Sequence, residues 1–352
     1  MPAVERGGVI RPGQVWLDTK GERIQAHAGS VLFADGTFFW YGENKERSTG
    51  RDGVWHWGVR CYASTDLSNW EDLGLIIPPV LDDPRSPLHP AQLTDRPHIA
   101  FNPETGRYVC WLRVSSRGGR PQTLAVLVAE ALLGPYRIVA AGLRPLGMDA
   151  GDFDLAIDPD DGKAYCYFER VHRELVCADL TADYTGLTGY YTTHFPRAGP
   201  PWVREAPAYF ARQGRHYLIT SGTTWYFPNP SELASADTYH GPWTVLGDPH
   251  PGDPTRTSFH SQVSSVFKHP GKQDLYVALA DRWLPDLPLD APRAADLFAR
   301  ATDEEAAEQL RPYGYGADPD TSRADYVWLP LRFDGDMAYL DWHDEWRVDD
   351  HD

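Results

Sequence analysis

Apolar residues in this chain come in short runs punctuated by glycine, proline and aspartate, and one arrangement of them recurs five times. An apolar run leads to a glycine turn, and an aromatic-rich run follows. Asp35-Gly36 opens onto Thr37-Phe38-Phe39-Trp40-Tyr41, Thr105-Gly106 onto Arg107-Tyr108-Val109-Cys110-Trp111, and Asp161-Gly162 onto Lys163-Ala164-Tyr165-Cys166-Tyr167-Phe168. Gln213-Gly214 opens onto Arg215-His216-Tyr217-Leu218-Ile219, and Pro270-Gly271 onto Lys272-Gln273-Asp274-Leu275-Tyr276-Val277. Strand, glycine turn, strand is a hairpin signal, and further strand-like segments follow, as at 57–62 and 123–129. The glycines stand 52 to 70 residues apart, which leaves room for about four strands in each repeat.

The pattern predicts an all-β fold, a five-bladed β-propeller read as one domain over residues 1–352. A (β/α)8 barrel would need an amphipathic helix after each strand, and such stretches are scarce. A two-sheet sandwich gives no reason for the same hairpin to return five times. Only the stretch from Pro288 to Leu310, with its alanines, leucines and acids, reads as helical; it is expected as an inserted excursion in the fifth repeat.

Against this apolar background, polar residues stand where each repeat's first strand begins. They are His27 in the first, Asp95 in Asp95-Arg96-Pro97, Asp152 beside Phe153, Glu205 in Val203-Arg204-Glu205-Ala206-Pro207, and His260-Ser261-Gln262 in the fifth; Glu43 follows in the first repeat. A carboxylate in an apolar run has a partner or a task. The first strand of a propeller blade lines the central channel, so these side chains are expected as a ring at one mouth.

Composition narrows the chemistry. The 18 Tyr, 13 Trp and 13 Phe suit strands and also provide flat faces for sugars. A formal charge of −17 repels phosphate backbones and anionic lipid, so no nucleic-acid or membrane partner is expected. The chain carries no run of 18 apolar residues and no signal-like stretch behind Met1. A cytoplasmic location is expected, or a secreted one if a leader has been removed. Cys61, Cys110, Cys166 and Cys177 are dispersed and read as small buried apolar residues. No metal or other cofactor is expected, and a monomer is favoured.

Facing carboxylates in a sugar-sized pocket are the usual apparatus for cleaving a glycosidic bond. One must stay protonated, which burial and a neighbouring carboxylate favour. Glu205 is the candidate acid and Asp152 the group that orients it and raises its pKa. Arg204 alternates away from Glu205 on a regular strand. Trp225, Phe227 and Trp202 are candidate sugar platforms, Asn229, His260 and His27 candidate hydroxyl partners, and Glu43 and Arg96 further substrate-binding candidates.

The chain resembles family 43 glycoside hydrolases, nearest to their exo-β-1,3-galactanase-like branch. The matching segments run from Ala26-His27-Ala28-Gly29 and Trp40-Tyr41-Gly42-Glu43 through Ser64-Thr65-Asp66-Leu67-Ser68-Asn69-Trp70, Arg96-Pro97 and Asp160-Asp161-Gly162-Lys163. They continue with Arg204-Glu205-Ala206-Pro207-Ala208, Ser221-Gly222-Thr223-Thr224-Trp225, Pro228-Asn229 and Ser261-Gln262. The resemblance implies a five-bladed propeller that hydrolyses with inversion, Glu205 as general acid, and Asp152 as pKa modulator with Asp154 as the alternative. Most of the family carries a base aspartate on the first inner strand, where this chain has Gln25-Ala26-His27-Ala28-Gly29. The galactanase-like branch lacks it too; there the resemblance assigns water positioning to Gln262, through its imidic acid form, with Asp95 in the same site. Two departures stand out: Asp95-Arg96-Pro97-His98 replaces Glu-Arg-Pro-Lys, and Trp225-Tyr226-Phe227 stands where a Gly-Trp pair is usual.

The expected activity is therefore removal of a terminal galactose-type sugar from a β-linked glycan, including β-1,3-galactan oligosaccharides. β-Galactofuranosidase, α-L-arabinofuranosidase and β-xylosidase activities remain alternatives on the same scaffold. So do a non-catalytic carbohydrate-binding propeller and a protein-interaction propeller.

Overall fold

Each of the five glycine turns closes a hairpin. At Asp35-Gly36 and Gln213-Gly214 both turn residues have positive φ, 49° and 80° in the first and 52° and 77° in the second. That geometry matches the right-handed twist of the flanking strands. The computed structural model describes residues 8–115, 117, 121–288, 290–313, 315–316 and 318–352. The start of the chain behind Met1, where a leader was sought, lies outside the described residues, as does Leu289 within the helical stretch.

Among the described residues, twenty strands form five four-stranded antiparallel sheets, each built from consecutive strands. The first sheet contains β1 (His27–Ala34), β2 (Thr37–Glu43), β3 (Val59–Ser64) and β4 (Glu71–Ile77). The second contains β5 (Leu93–Asn102), β6 (Arg107–Ser115), β7 (Gln122–Ala129) and β8 (Arg137–Leu143). The third has β9 (Ala150–Ile157), β10 (Ala164–Arg170), β11 (Glu174–Leu180) and β12 (Leu187–His194). The fourth has β13 (Arg204–Arg212), β14 (Arg215–Gly222), β15 (Glu232–Ala236) and β16 (Thr244–Gly247). The fifth has β17 (Gln262–Lys268), β18 (Tyr276–Arg282), β19 (Asp325–Asp334) and β20 (Met337–Leu340). The leading strands β1, β5, β9, β13 and β17 touch one another in sequence, and β17 returns to β1. This is a five-bladed β-propeller with those strands around its axis.

The blades are glued by side chains between sheets. Five apolar clusters each join two adjacent blades, so each interface of the ring has its own core. Aromatics dominate where the ring closes: Trp40 packs edge-on against Trp328 and Tyr326, both at 4.6 Å between ring centroids. There the chain ends meet as well, with Ile10 and Trp346 exchanging backbone hydrogen bonds of 2.9 and 3.0 Å. The four cysteines are free and buried in these cores.

A small helical insertion is present, with α1 (Ala291–Ala299) and α2 (Glu304–Leu310) lying between β18 and β19 in the chain. Asp290 caps α1, its side chain accepting from the Arg293 N–H at 3.2 Å. Ala294, Leu297, Phe298, Ala306 and Leu310 form a core of their own with Phe227. Among the described residues no helix is long and apolar enough to cross a membrane.

Candidate active site

The pocket at the axial mouth begins with a flaw in the pairing of each inner strand. In β1, β5, β9, β13 and β17 the register slips at the first residues, between His27 and Ser30, Asp95 and His98, Ala150 and Phe153, Glu205 and Ala208, and Val263 and Ser265. A bulge adds a residue to one strand and re-aims its side chains. At three of them a non-glycine residue takes the left-handed conformation: Ala28 at φ 47°, Arg96 at 51° and Ala206 at 49°. Such backbone costs energy and is held only where the surroundings demand it.

Around one pocket stand Asp95, Arg96, Asp152, Glu205 and Gln262 from the starts of the inner strands, with Glu43 from the end of β2 and Trp225 from the loop after β14. These are seven of the residues singled out in the sequence. Arg96 is the hub. Its Nε meets Asp152 Oδ1 at 2.8 Å, its Nη2 donates to Gln262 Oε1 at 2.8 Å, and its backbone N–H donates to Glu43 Oε1 at 3.0 Å. Arg96 Nη1 and Asp95 Oδ1 are buried without a hydrogen-bond partner among the described residues. Gln262 Nε2 donates to Ser221 Oγ at 2.9 Å, so each end of the amide is held yet keeps one bonding position.

Several residues at this pocket were not among the sequence candidates, four of them large or charged: Arg113, Trp55, Tyr226 and Trp283. Arg113 pairs across strands with Asp95 at 2.6 Å, also approaches Asp152 at 3.9 Å, and is braced by Gln122. Trp55, Tyr226 and Trp283 complete the wall. The buried Lys45, behind them, meets Glu43 at 2.7 Å and lies 4.6 Å above the Trp55 ring.

Burial, then Asp152 and Glu169, push the Glu205 carboxyl well above its ordinary range, against the opposing pull of Arg96 and Arg113. Burial also raises Asp95, opposed first by Arg113 and reinforced by Asp152. Glu43 is pushed up to about 7 by burial, with Lys45 opposing. Arg204 points away from Glu205, as strand alternation predicts: its Nε donates to Thr220 Oγ1 at 2.9 Å. Asp152 lines the pocket, whereas Asp154 is buried beneath it, bound to His98 Nδ1 at 2.9 Å and to the Tyr209 N–H at 2.7 Å.

The remaining five candidates do not line this pocket, although Phe227, Asn229 and His260 line a small adjoining one that shares Trp225, Tyr226, Gln262 and Trp283 with it. His27 is fully buried, with Nδ1 3.0 Å from Asp281 and its ring stacked on Tyr326, so it is a core residue. Phe227 is also no platform, being buried against the helical insertion. Asn229 spends its amide on its own loop, accepting from the Gly222 N–H at 2.6 Å and donating to the Gly222 carbonyl at 2.8 Å. The His260 ring is turned to the Leu284 carbonyl at 3.0 Å, and burial lowers its pKa to about 4. Trp202 is exposed but lines a different cavity. His27, Phe227, Asn229 and His260 share one cause, their side chains being spent on holding the frame around the pocket, whereas Trp202 stands at another cavity.

Carboxylates, a held amide and an aromatic wall thus share the axial pocket of this propeller. The chain belongs to glycosyl hydrolases family 43, whose model matches residues 25–284. It is similar in structure to a family 43 β-1,3-galactosidase, at 26% identity and a TM-score of 0.79 over 98% of this chain; it spans 65% of that protein's length. An exo-β-1,3-galactanase from Phanerochaete chrysosporium, in complex with β-1,3-galactotriose, is similar at 25% identity and a TM-score of 0.78, over 97% of this chain and 68% of the other. A second β-1,3-galactosidase, with galactodeoxynojirimycin, is similar at 27% identity and 0.77, over 96% of this chain and 100% of the other. Among curated protein sequences none matches.

Proposed function

We propose that the protein is an inverting, exo-acting hydrolase that removes a terminal galactose-type sugar from a β-linked glycan, with β-1,3-galactan oligosaccharides as the leading substrates. The observation that carries this reading is Glu205, a carboxyl raised by burial and by Asp152 in a pocket walled by Trp55, Trp225, Tyr226 and Trp283. The choice of galactose is supported by the similarity to galactose-cleaving structures at 25 to 27% identity.

In this reading Glu205 protonates the departing glycosidic oxygen, and Asp152, anchored by Arg96, keeps it protonated until then. Water attacks the anomeric carbon from the opposite face. Asp95 accepts its proton through the unpartnered Oδ1, while Gln262, fixed by Arg96 and Ser221, orients the water with its spare acceptor and donor positions. An uncharged amide is a poor base, which is why the proton goes to the carboxylate.

Release of sugar from 4-nitrophenyl β-galactopyranoside, β-galactofuranoside, α-arabinofuranoside and β-xyloside and from β-1,3-galactobiose tests the proposal. The galactopyranosides are expected to turn over. Glu205→Gln should lose about 10²- to 10⁴-fold on galactobiose, and less on the nitrophenyl glycoside, whose leaving group needs little protonation. Turnover of a furanoside or xyloside alone would replace galactose with that sugar. Saturable sugar binding without turnover by folded wild type would make the protein a lectin-like propeller.

A further inference from the structure

Trp202 was expected in the catalytic pocket and is not there. Trp202 is 57% exposed, at a separate cavity between blade four and α1. That cavity encloses about 280 Å³, against about 130 Å³ in the catalytic pocket. The frame around it is built tightly. The Trp202 N–H donates to the Gly199 carbonyl at 2.9 Å, and the Thr223 N–H to that of Pro201 at 3.0 Å. A side chain at Gly222 would strike the Pro201 carbonyl oxygen at 2.6 Å and Asn229 Oδ1 at 3.2 Å, so glycine allows these two loops to close on each other.

The charges in this cavity do not balance. Arg197 binds Glu232 through both carboxylate oxygens, at 3.0 and 3.1 Å, and Arg204 approaches the same carboxylate at 3.9 Å. Asp248 accepts from the His250 N–H at 2.9 Å. Arg256 lines the cavity with no ion pair or side-chain hydrogen bond among the described residues, on a backbone held at φ 53°. Arg256 is exposed beside the exposed indole, in a chain of formal charge −17.

The combination selects a ligand. An indole face packs against the C–H face of a pyranose, and a guanidinium grips a carboxylate through two parallel hydrogen bonds. We propose that this cavity is an accessory site for a carboxylate-bearing sugar, with Trp202 as platform and Arg256 as the carboxylate partner. The proposal rests on the reading of the protein as a glycan-processing enzyme. The segment 222–229 separates the two sites: Thr224, Phe227 and Asn229 face the accessory cavity, and Trp225 and Tyr226 face the catalytic pocket. An acidic branch captured here would hold its glycan one loop away from the reacting bond, raising the local concentration of chain ends.

NMR titration of the full chain carrying Glu205→Gln, with methyl β-glucuronide and methyl β-galactoside as probes, tests this. Saturable glucuronide binding is expected, weakened tenfold or more by added Trp202→Ala and by added Arg256→Gln, and weakened by salt. Both side chains are exposed, and matching melting temperatures check that the variants fold. Absence of glucuronide binding, or binding that survives both substitutions, overturns the site. Loss with Trp202→Ala but not Arg256→Gln, on either probe, overturns the acidic ligand. Turnover of nitrophenyl galactoside by wild type is read separately, so glucuronide binding by a chain inactive on every glycoside would sink the hydrolase reading and leave this site standing.

Discussion

Arg113 carries more of the site's electrostatics than its place in the sequence suggests. It faces Asp95 at 2.6 Å, reaches toward Asp152, and lowers the pKa of both Asp95 and Glu205. Removing it therefore tests which group takes the proton from water. In a bell-shaped profile of kcat/KM against pH, the rising limb reports the group that must be ionised and the falling limb the group that must be protonated. With Asp95 as base, Arg113→Met moves both limbs to higher pH, and kcat falls by roughly 10²-fold. With Gln262 alone directing water, only the falling limb moves. Glu205, Asp152 and Asp95 were conspicuous as carboxylates in or before strand-like segments, whereas Gln262 was placed by its position in the fifth repeat and given a role only by the family resemblance. Arg113 was not conspicuous: it is one polar residue on a half-buried strand, where alternation makes polar residues ordinary, and only the pairing of β5 with β6 sets it opposite Asp95.

At the scale of elements, the hairpins were readable because each glycine turn is a local signal. The bulges were not, because the residues that take positive φ in them are Ala28, Arg96 and Ala206, none of which advertises a turn. The same limit applies to segment 223–229. Its aromatics look alike in sequence, yet Trp225 and Tyr226 face the pocket while Phe227 plugs the core of α1 and α2. That division makes the helical insertion a brace for the pocket wall, and Tyr315 adds an edge contact to Trp225 at 6.4 Å. Phe227→Ala should leave a void in the small core and loosen the docking of the insertion by about 3 kcal/mol. The expected result is faster hydrogen exchange over residues 291–310 and a raised KM, with kcat changed less. Unchanged exchange there would mean that the insertion stands without this anchor.

For the whole molecule, the blade count was legible because one local pattern repeats, whereas the site exists only after the ring has closed and brought residues from Glu43 to Trp283 to a common axis. Closing it confines Glu205, Asp95 and Glu43 in one buried place, and all three have raised pKa values. The cost of that confinement depends on pH in a definite direction. Below the ordinary glutamate value of 4.5, Glu205 is protonated in the folded and unfolded chain alike. As pH rises the unfolded chain releases this proton first, while the folded chain still holds it, so folding is progressively disfavoured until the folded group also ionises. Glu205→Gln has no such proton to lose. The melting temperature of the variant minus that of wild type should be smallest near pH 4 and grow steadily more positive toward pH 8, on the order of 2 °C for each kcal/mol recovered. Thermal scans of both proteins across that range measure it directly. A difference that stays flat would mean that Glu205 titrates alike in the folded and unfolded chain, and the acid proposed for catalysis would have no raised pKa to work with. A growing difference, set beside lost turnover on galactobiose, would mean that the same burial which weakens the fold at neutral pH keeps the catalytic proton in place.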